Sequence, residues 1–88
     1  MAGNPQSPCR KTRLKELSVK AQPLARIVDH EPPSSTEWKL AATKLAVITK
    51  ESLALAHRLG QKNILDIAQS AAARVRNQCP VEAEKVGL

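Results

Sequence analysis

The chain has 88 residues, a formal charge of +6, 42% hydrophobic side chains and a single aromatic, Trp38. That length suits one small domain near the lower limit of what folds unaided. With no Phe or Tyr the core must be Leu, Ile, Val and Ala, and no period-two run of β-branched or aromatic residues marks a strand, so the fold class is all-α.

Residues 1–9 hold Gly3, Asn4, Pro5, Gln6, Ser7 and Pro8, a composition expected to stay disordered. Residues 10–29 read as a basic helical arm. Leu14, Leu17, Ala21, Leu24 and Val28 fall on one narrow stripe at helical spacing over about 12–29, interrupted by Pro23. The favoured reading ends one helix near Ala21 and starts a second turn at Pro23, where proline is tolerated; a single kinked helix is the alternative. Residues 30–34 form a stiff proline-rich linker.

A helical hairpin follows over 35–79, with helices at about 35–59 and 63–78. Ser34 and Glu37 match the S-x-x-E capping box, and Pro33 and Trp38 take the two staple positions around it. From Glu37 to Leu59 there is neither Gly nor Pro. Trp38, Ala41, Ala42, Leu45, Ala46, Ile48, Leu53, Leu55, Ala56 and Leu59 share one broad apolar face. Gly60 stands where a left-handed C-terminal residue is wanted. Asn63 is the candidate cap of the second helix, whose apolar face is Ile64, Leu65, Ile67, Ala68, Ala71, Ala72 and Val75. Cys79-Pro80 ends it, because the residue before proline leaves helical geometry. Residues 80–88 are a tail that frays or adds a last turn.

The second helix is too short to cover Trp38, Ala41 and Ala42 at about 1.5 Å of rise per residue. A three-helix bundle with the N-terminal segment, a homodimer, or both are therefore implied. On the opposite face of the long helix Leu40, Val47 and Ala54 recur every seven residues, a candidate seam for a partner or a second copy.

The charge is unevenly placed. Residues 1–26 hold six basic side chains against Glu16 alone, while the rest of the chain holds eight basic against seven acidic. Arg10, Lys11, Arg13, Lys15 and Lys20 are thus the candidate contacts to an anionic partner, either nucleic-acid phosphates or an acidic protein surface.

Around Leu55–Gly60 the chain is partly similar to the helix-turn-helix motif, through Ala56 and Gly60. However, Gln61 and Asp66 stand where that motif buries apolar residues. Ala56, His57 and Leu59 also resemble the surroundings of the acceptor histidine in histidine phosphotransfer domains, which would make His57 the phosphorylated residue. The lysine of that pattern is missing and the glycine arrives one position early.

Cys9, His30, His57 and Cys79 are no closer than 21 positions to one another, unlike the paired ligands of zinc motifs. No paired carboxylates suggest acid–base catalysis. No cofactor, metal or small-molecule substrate is expected. The longest apolar runs, such as Leu45–Ile48, fall far short of the roughly 20 residues that span a bilayer. No apolar segment follows Met1 in signal-peptide fashion. The expectation is a cytoplasmic, soluble, non-enzymatic binding protein without a membrane partner. It either binds nucleic acid in an accessory or regulatory role, or acts as an adaptor or inhibitor of another protein.

Overall fold

The computed structural model describes residues 10–88, and for Arg10 its helical backbone alone. The expectation for residues 1–9 and the role expected of the Arg10 side chain lie outside the described residues. Four helices follow in order: α1 (Arg10–His30), α2 (Thr36–Leu59), α3 (Lys62–Gln78) and α4 (Pro80–Lys85). No strand occurs among the described residues, and the fold is all-α. No helix among them is long and apolar enough to cross a membrane.

Helix α1 is one helix through Pro23, not the two short pieces favoured from sequence. Proline at position 23 removes the N–H that would bond the carbonyl of Val19. Both residues are exposed, so water can take that carbonyl, while Leu17 on one side and Val28 on the other are buried. Packing on both sides of the proline holds the two halves in register.

The helix ends because Pro32 and Pro33 offer no N–H. The Glu31 N–H reaches the carbonyl of Ile27 at 2.8 Å, but the next carbonyl, that of Val28, would need an N–H from Pro32. The indole of Trp38 supplies it instead, Nε1 donating to the Val28 carbonyl at 3.1 Å in a buried setting. One side chain of α2 thereby closes the end of α1.

The cap of α2 lies one residue later than the sequence suggested. Ser35, not Ser34, accepts from the Trp38 N–H at 3.1 Å, and its hydroxyl donates to the Pro32 carbonyl at 2.9 Å. The Pro32–Ser35 turn decides this, since the Ser35 N–H also closes on Pro32 at 2.9 Å. In that frame Glu37 is the second helical residue, so no capping box forms, and Pro33 and Trp38 no longer occupy the staple positions. Gly60 ends α2 at φ 70°, its N–H on the carbonyl of Ala56 at 3.2 Å. Helix α3 starts at Lys62, with Gln61 in the cap position and no side-chain cap bond; Asn63 lies inside the helix and does not cap it.

Helix α2 is the platform on which α1, α3 and α4 each pack. The core consists of Val28, Trp38, Ala41, Ala42, Leu45, Ala46, Val75, Cys79 and Ala83. Alanines at 42 and 46 have no exposed surface, which lets the helix backbones approach closely. Ile48, Leu53, Leu55 and Leu59 are only partly buried, whereas Thr49 is buried and donates its hydroxyl to the Leu45 carbonyl at 2.7 Å.

Of the two readings of residues 80–88, the structure has the added turn: they form a short helix and do not fray. Pro80 opens α4 in the position where its missing N–H costs nothing, and Cys79 bends the chain at φ −134°, ψ 61°. Ala83 is buried, with Val86 and Leu88 packed against the core beside it. Lys50 Nζ donates to the Val86 carbonyl at 2.6 Å and Arg76 Nε to that of Leu88 at 3.0 Å. The α1 C-terminal half and α4 thus complete the cover over Trp38, Ala41 and Ala42. This removes the packing deficit that pointed to a second copy.

Candidate functional site

Among the described side chains the basic cluster of the N-terminal region divides, although Lys15 and Lys20 share a shallow outer depression with Glu16. At 100° per residue, Arg13 and Lys20 project from one side of the α1 core stripe, and Lys11 and Lys15 from the other. Arg13 turns to α2, where Nε and Nη2 both donate to Glu51 Oε2, at 3.0 and 2.8 Å. Glu16 lies 3.6 Å from the same guanidinium. The hydrogen bonds to Glu51, followed by the charge of that carboxylate, push the Arg13 pKa above its usual value. This side chain staples α1 to α2 and has two carboxylates beside it. Lys11, Lys15 and Lys20 are exposed.

Lys11 and Lys15 instead border a groove. Helices α1 and α3 both lie on α2 but share no packed interface, and near the N-terminal ends of α1 and α3 the space between them is open. At the other end Gln78 Nε2 donates to Asp29 Oδ1 at 2.8 Å, joining the C-terminal turns of the two helices. The resulting cavity has a volume of about 550 Å³. Ile48, Thr49 and Ser52 of α2 form its floor, Leu14 and Ala21 one wall, and Ile64, Ile67, Ala68 and Ala71 the other. Lys11, Lys15, Ser18, Gln61 and Asn63 supply its polar edges, and no acidic residue lines it. Ile67 is 70% exposed, the highest value among the exposed large apolar side chains of the described residues.

Sequence placed Leu14, Ile64, Ile67 and Ala71 on apolar faces but assigned them to the core. The signal that distinguishes them is width. On a helical wheel the apolar arc of α3 spans roughly 160°, more than packing on one neighbour requires. Ala68, Ala72 and Val75 fill the half that meets α2 and are buried; Ile64, Ile67 and Ala71 hold the half that meets the groove.

The other candidates stay apart from this groove. Leu40 and Val47 are 58% and 48% exposed, and Ala54 is exposed with them along the outer face of α2. His57 is exposed in the last turn of α2. Gln61 and Asp66, which a helix-turn-helix would bury, are exposed as well. Cys79 is a buried free thiol whose pKa is raised, mainly by burial and further by the charge of Glu82. Among the described residues no group of three or more His, Cys, Asp or Glu could hold a metal ion.

Comparison with protein-family models, with curated protein sequences and with solved structures finds no match.

Proposed function

We propose that the protein is a non-enzymatic interaction module that seats a segment of another protein in the groove between α1 and α3. The observation that carries this reading is the exposure of Ile67 beside Leu14, Ile48 and Ala71 in one concave, mainly apolar strip. Contiguous exposed apolar surface edged by polar residues is characteristic of protein-binding sites, and open grooves of this kind receive helices. The adaptor or inhibitor role fits this surface. A phosphate-binding role fits it less well, because Arg13 is committed to Glu51 and Lys11 and Lys15 edge a mainly apolar groove.

The test is a selection from a library of peptides with apolar residues at helical spacing, run against the whole chain and counter-selected on Ile67→Gln. In parallel, random duplex DNA and single-stranded RNA are titrated by fluorescence anisotropy across a salt series. The reading predicts peptides that lose at least about tenfold in affinity on Ile67→Gln. It is overturned if no such peptide emerges while nucleic acid binds tightly, with a steep salt dependence that disappears when Lys11, Lys15 and Lys20 become glutamine.

A further inference from the structure

Charge and shape together narrow the kind of segment that the groove takes. We infer that it seats an amphipathic helix of another protein whose apolar face is flanked by aspartate or glutamate, the carboxylates meeting Lys11 and Lys15. This rests on the interaction-module reading above and deepens it.

The shape favours a helix. The groove walls run from Lys11 to Ala21 on α1 and from Gln61 to Ala71 on α3. Ten residues of helix rise about 15 Å, so the walls match roughly three turns of an occupant. A helix about 10 Å across and 15 Å long fills roughly 1200 Å³, and half of that, one face sunk between two walls, is about 600 Å³. The groove volume of about 550 Å³ leaves room for one face of such a helix. An enclosed small-molecule site would cover most of its ligand. This strip opens to solvent at Ile67, which is largely exposed.

The charge favours acidic flanks. Lys11 and Lys15 lie one turn apart on the groove edge of α1, and every charged residue that lines the groove is basic. The nearest acid on α1, Glu16, does not line the groove; it lies 3.6 Å from Arg13 and shares an outer depression of the helix with Lys15. An acidic flank would find two cations and no carboxylate within the groove lining, so pairing would favour one orientation and register of the incoming helix.

The same charges weigh against a second copy of this chain as the occupant. The exposed apolar stripe of α2, Leu40, Val47 and Ala54, is bordered by Lys44 and Arg58 as well as Glu51, and the chain carries +6 overall. Residues 1–9 are poorly suited too, since they contain Pro5 and Pro8 and no Leu, Ile or Val.

The experiment uses three synthetic helical peptides with one shared apolar face and flanks of glutamate, glutamine or lysine. Their affinities are measured by fluorescence anisotropy for the full chain, for Ile67→Gln, and for the double variant Lys11→Glu/Lys15→Glu. Both lysines are exposed, so circular dichroism should show that the double variant is folded. Glutamate flanks should bind about 2- to 30-fold more tightly than glutamine flanks, the advantage of two exposed ion pairs, and this gain should fade with salt. In the double variant the order of glutamate and lysine flanks should invert. Equal affinity for all three peptides, lost on Ile67→Gln, would overturn the acidic-flank inference and leave the groove as a binding site. No binding by any peptide, or binding indifferent to Ile67→Gln, would overturn both. Self-association that the glutamate-flanked peptide cannot displace would identify a second copy as the occupant and also overturn the inference.

Discussion

Replacing Trp38 with phenylalanine isolates the contact that joins the end of α1 to the start of α2. The Val28 carbonyl has no helical donor, because the residue four positions on is Pro32, and the indole at 3.1 Å supplies the bond. Phenylalanine would leave that buried carbonyl unpaired, at a cost of about 1–3 kcal/mol. The lost part of the ring adds on the order of 1 kcal/mol of burial, giving about 2–4 kcal/mol together. A domain of this size has roughly 4–13 kcal/mol in total, so the loss is a large share. Urea unfolding followed by circular dichroism at 222 nm measures it, as Trp38 is the sole fluorescent aromatic. The melting midpoint should fall by at least about 8 °C. A second arm separates the hydrogen bond from ring size. In Pro32→Ala the carbonyl regains a backbone donor, so Trp38→Phe should cost less there than in the parent chain. A loss below about 0.5 kcal/mol in the parent, or an equal loss in both backgrounds, would refute the capping role.

Other consequences follow from the packing. Leu17→Ala, at a position only 2% exposed, should lose about 2–5 kcal/mol in the same unfolding assay, whereas Leu40→Ala on the exposed stripe should stay within about 0.5 kcal/mol. Pro23→Ala restores the helical N–H opposite the Val19 carbonyl and should raise stability by up to about 3 kcal/mol, visible as a higher melting midpoint. In a Cys9→Ser chain, Cys79 should be alkylated by iodoacetamide only as fast as the protein unfolds, because the thiol is buried and its pKa is raised. The same shift sets a sign. The unfolded thiol ionises from about pH 8.5 upward while the folded one stays neutral, so its contribution is intact below that pH and is lost as pH rises further. Stability rising between about pH 8.5 and 10 as a result of Cys79, judged against Cys79→Ala, would contradict it.

The hairpin and Gly60 were legible because local chemistry determines them: a long run of good helix formers, then a left-handed glycine. Details set by tertiary contacts were not. Ser34 and Ser35 are equally good caps, and the Pro32 turn selects Ser35. Pro23 looks like a break until packing on both sides holds the helix through it. Thr49 carries no apolar signal in the sequence, yet its hydroxyl is satisfied within its own helix and can be buried. The groove was the hardest feature to read. Its walls have ordinary core composition, and only the separation of α1 from α3 leaves Leu14, Ile64 and Ile67 lining open space. The basic cluster was legible as charge but not as direction, since neither the turn of Arg13 to Glu51 nor the divergence of its neighbours appears in composition.

The most direct test of the groove as the binding surface is amide chemical-shift mapping by NMR during titration with the glutamate-flanked peptide. The account predicts that the largest shifts fall on Lys11, Leu14, Lys15 and Ser18 of α1 and on Ile64, Ile67 and Ala71 of α3. Leu40, Val47 and Ala54 should stay unmoved. Shifts concentrated along that outer stripe of α2, with the groove residues unchanged, would contradict it.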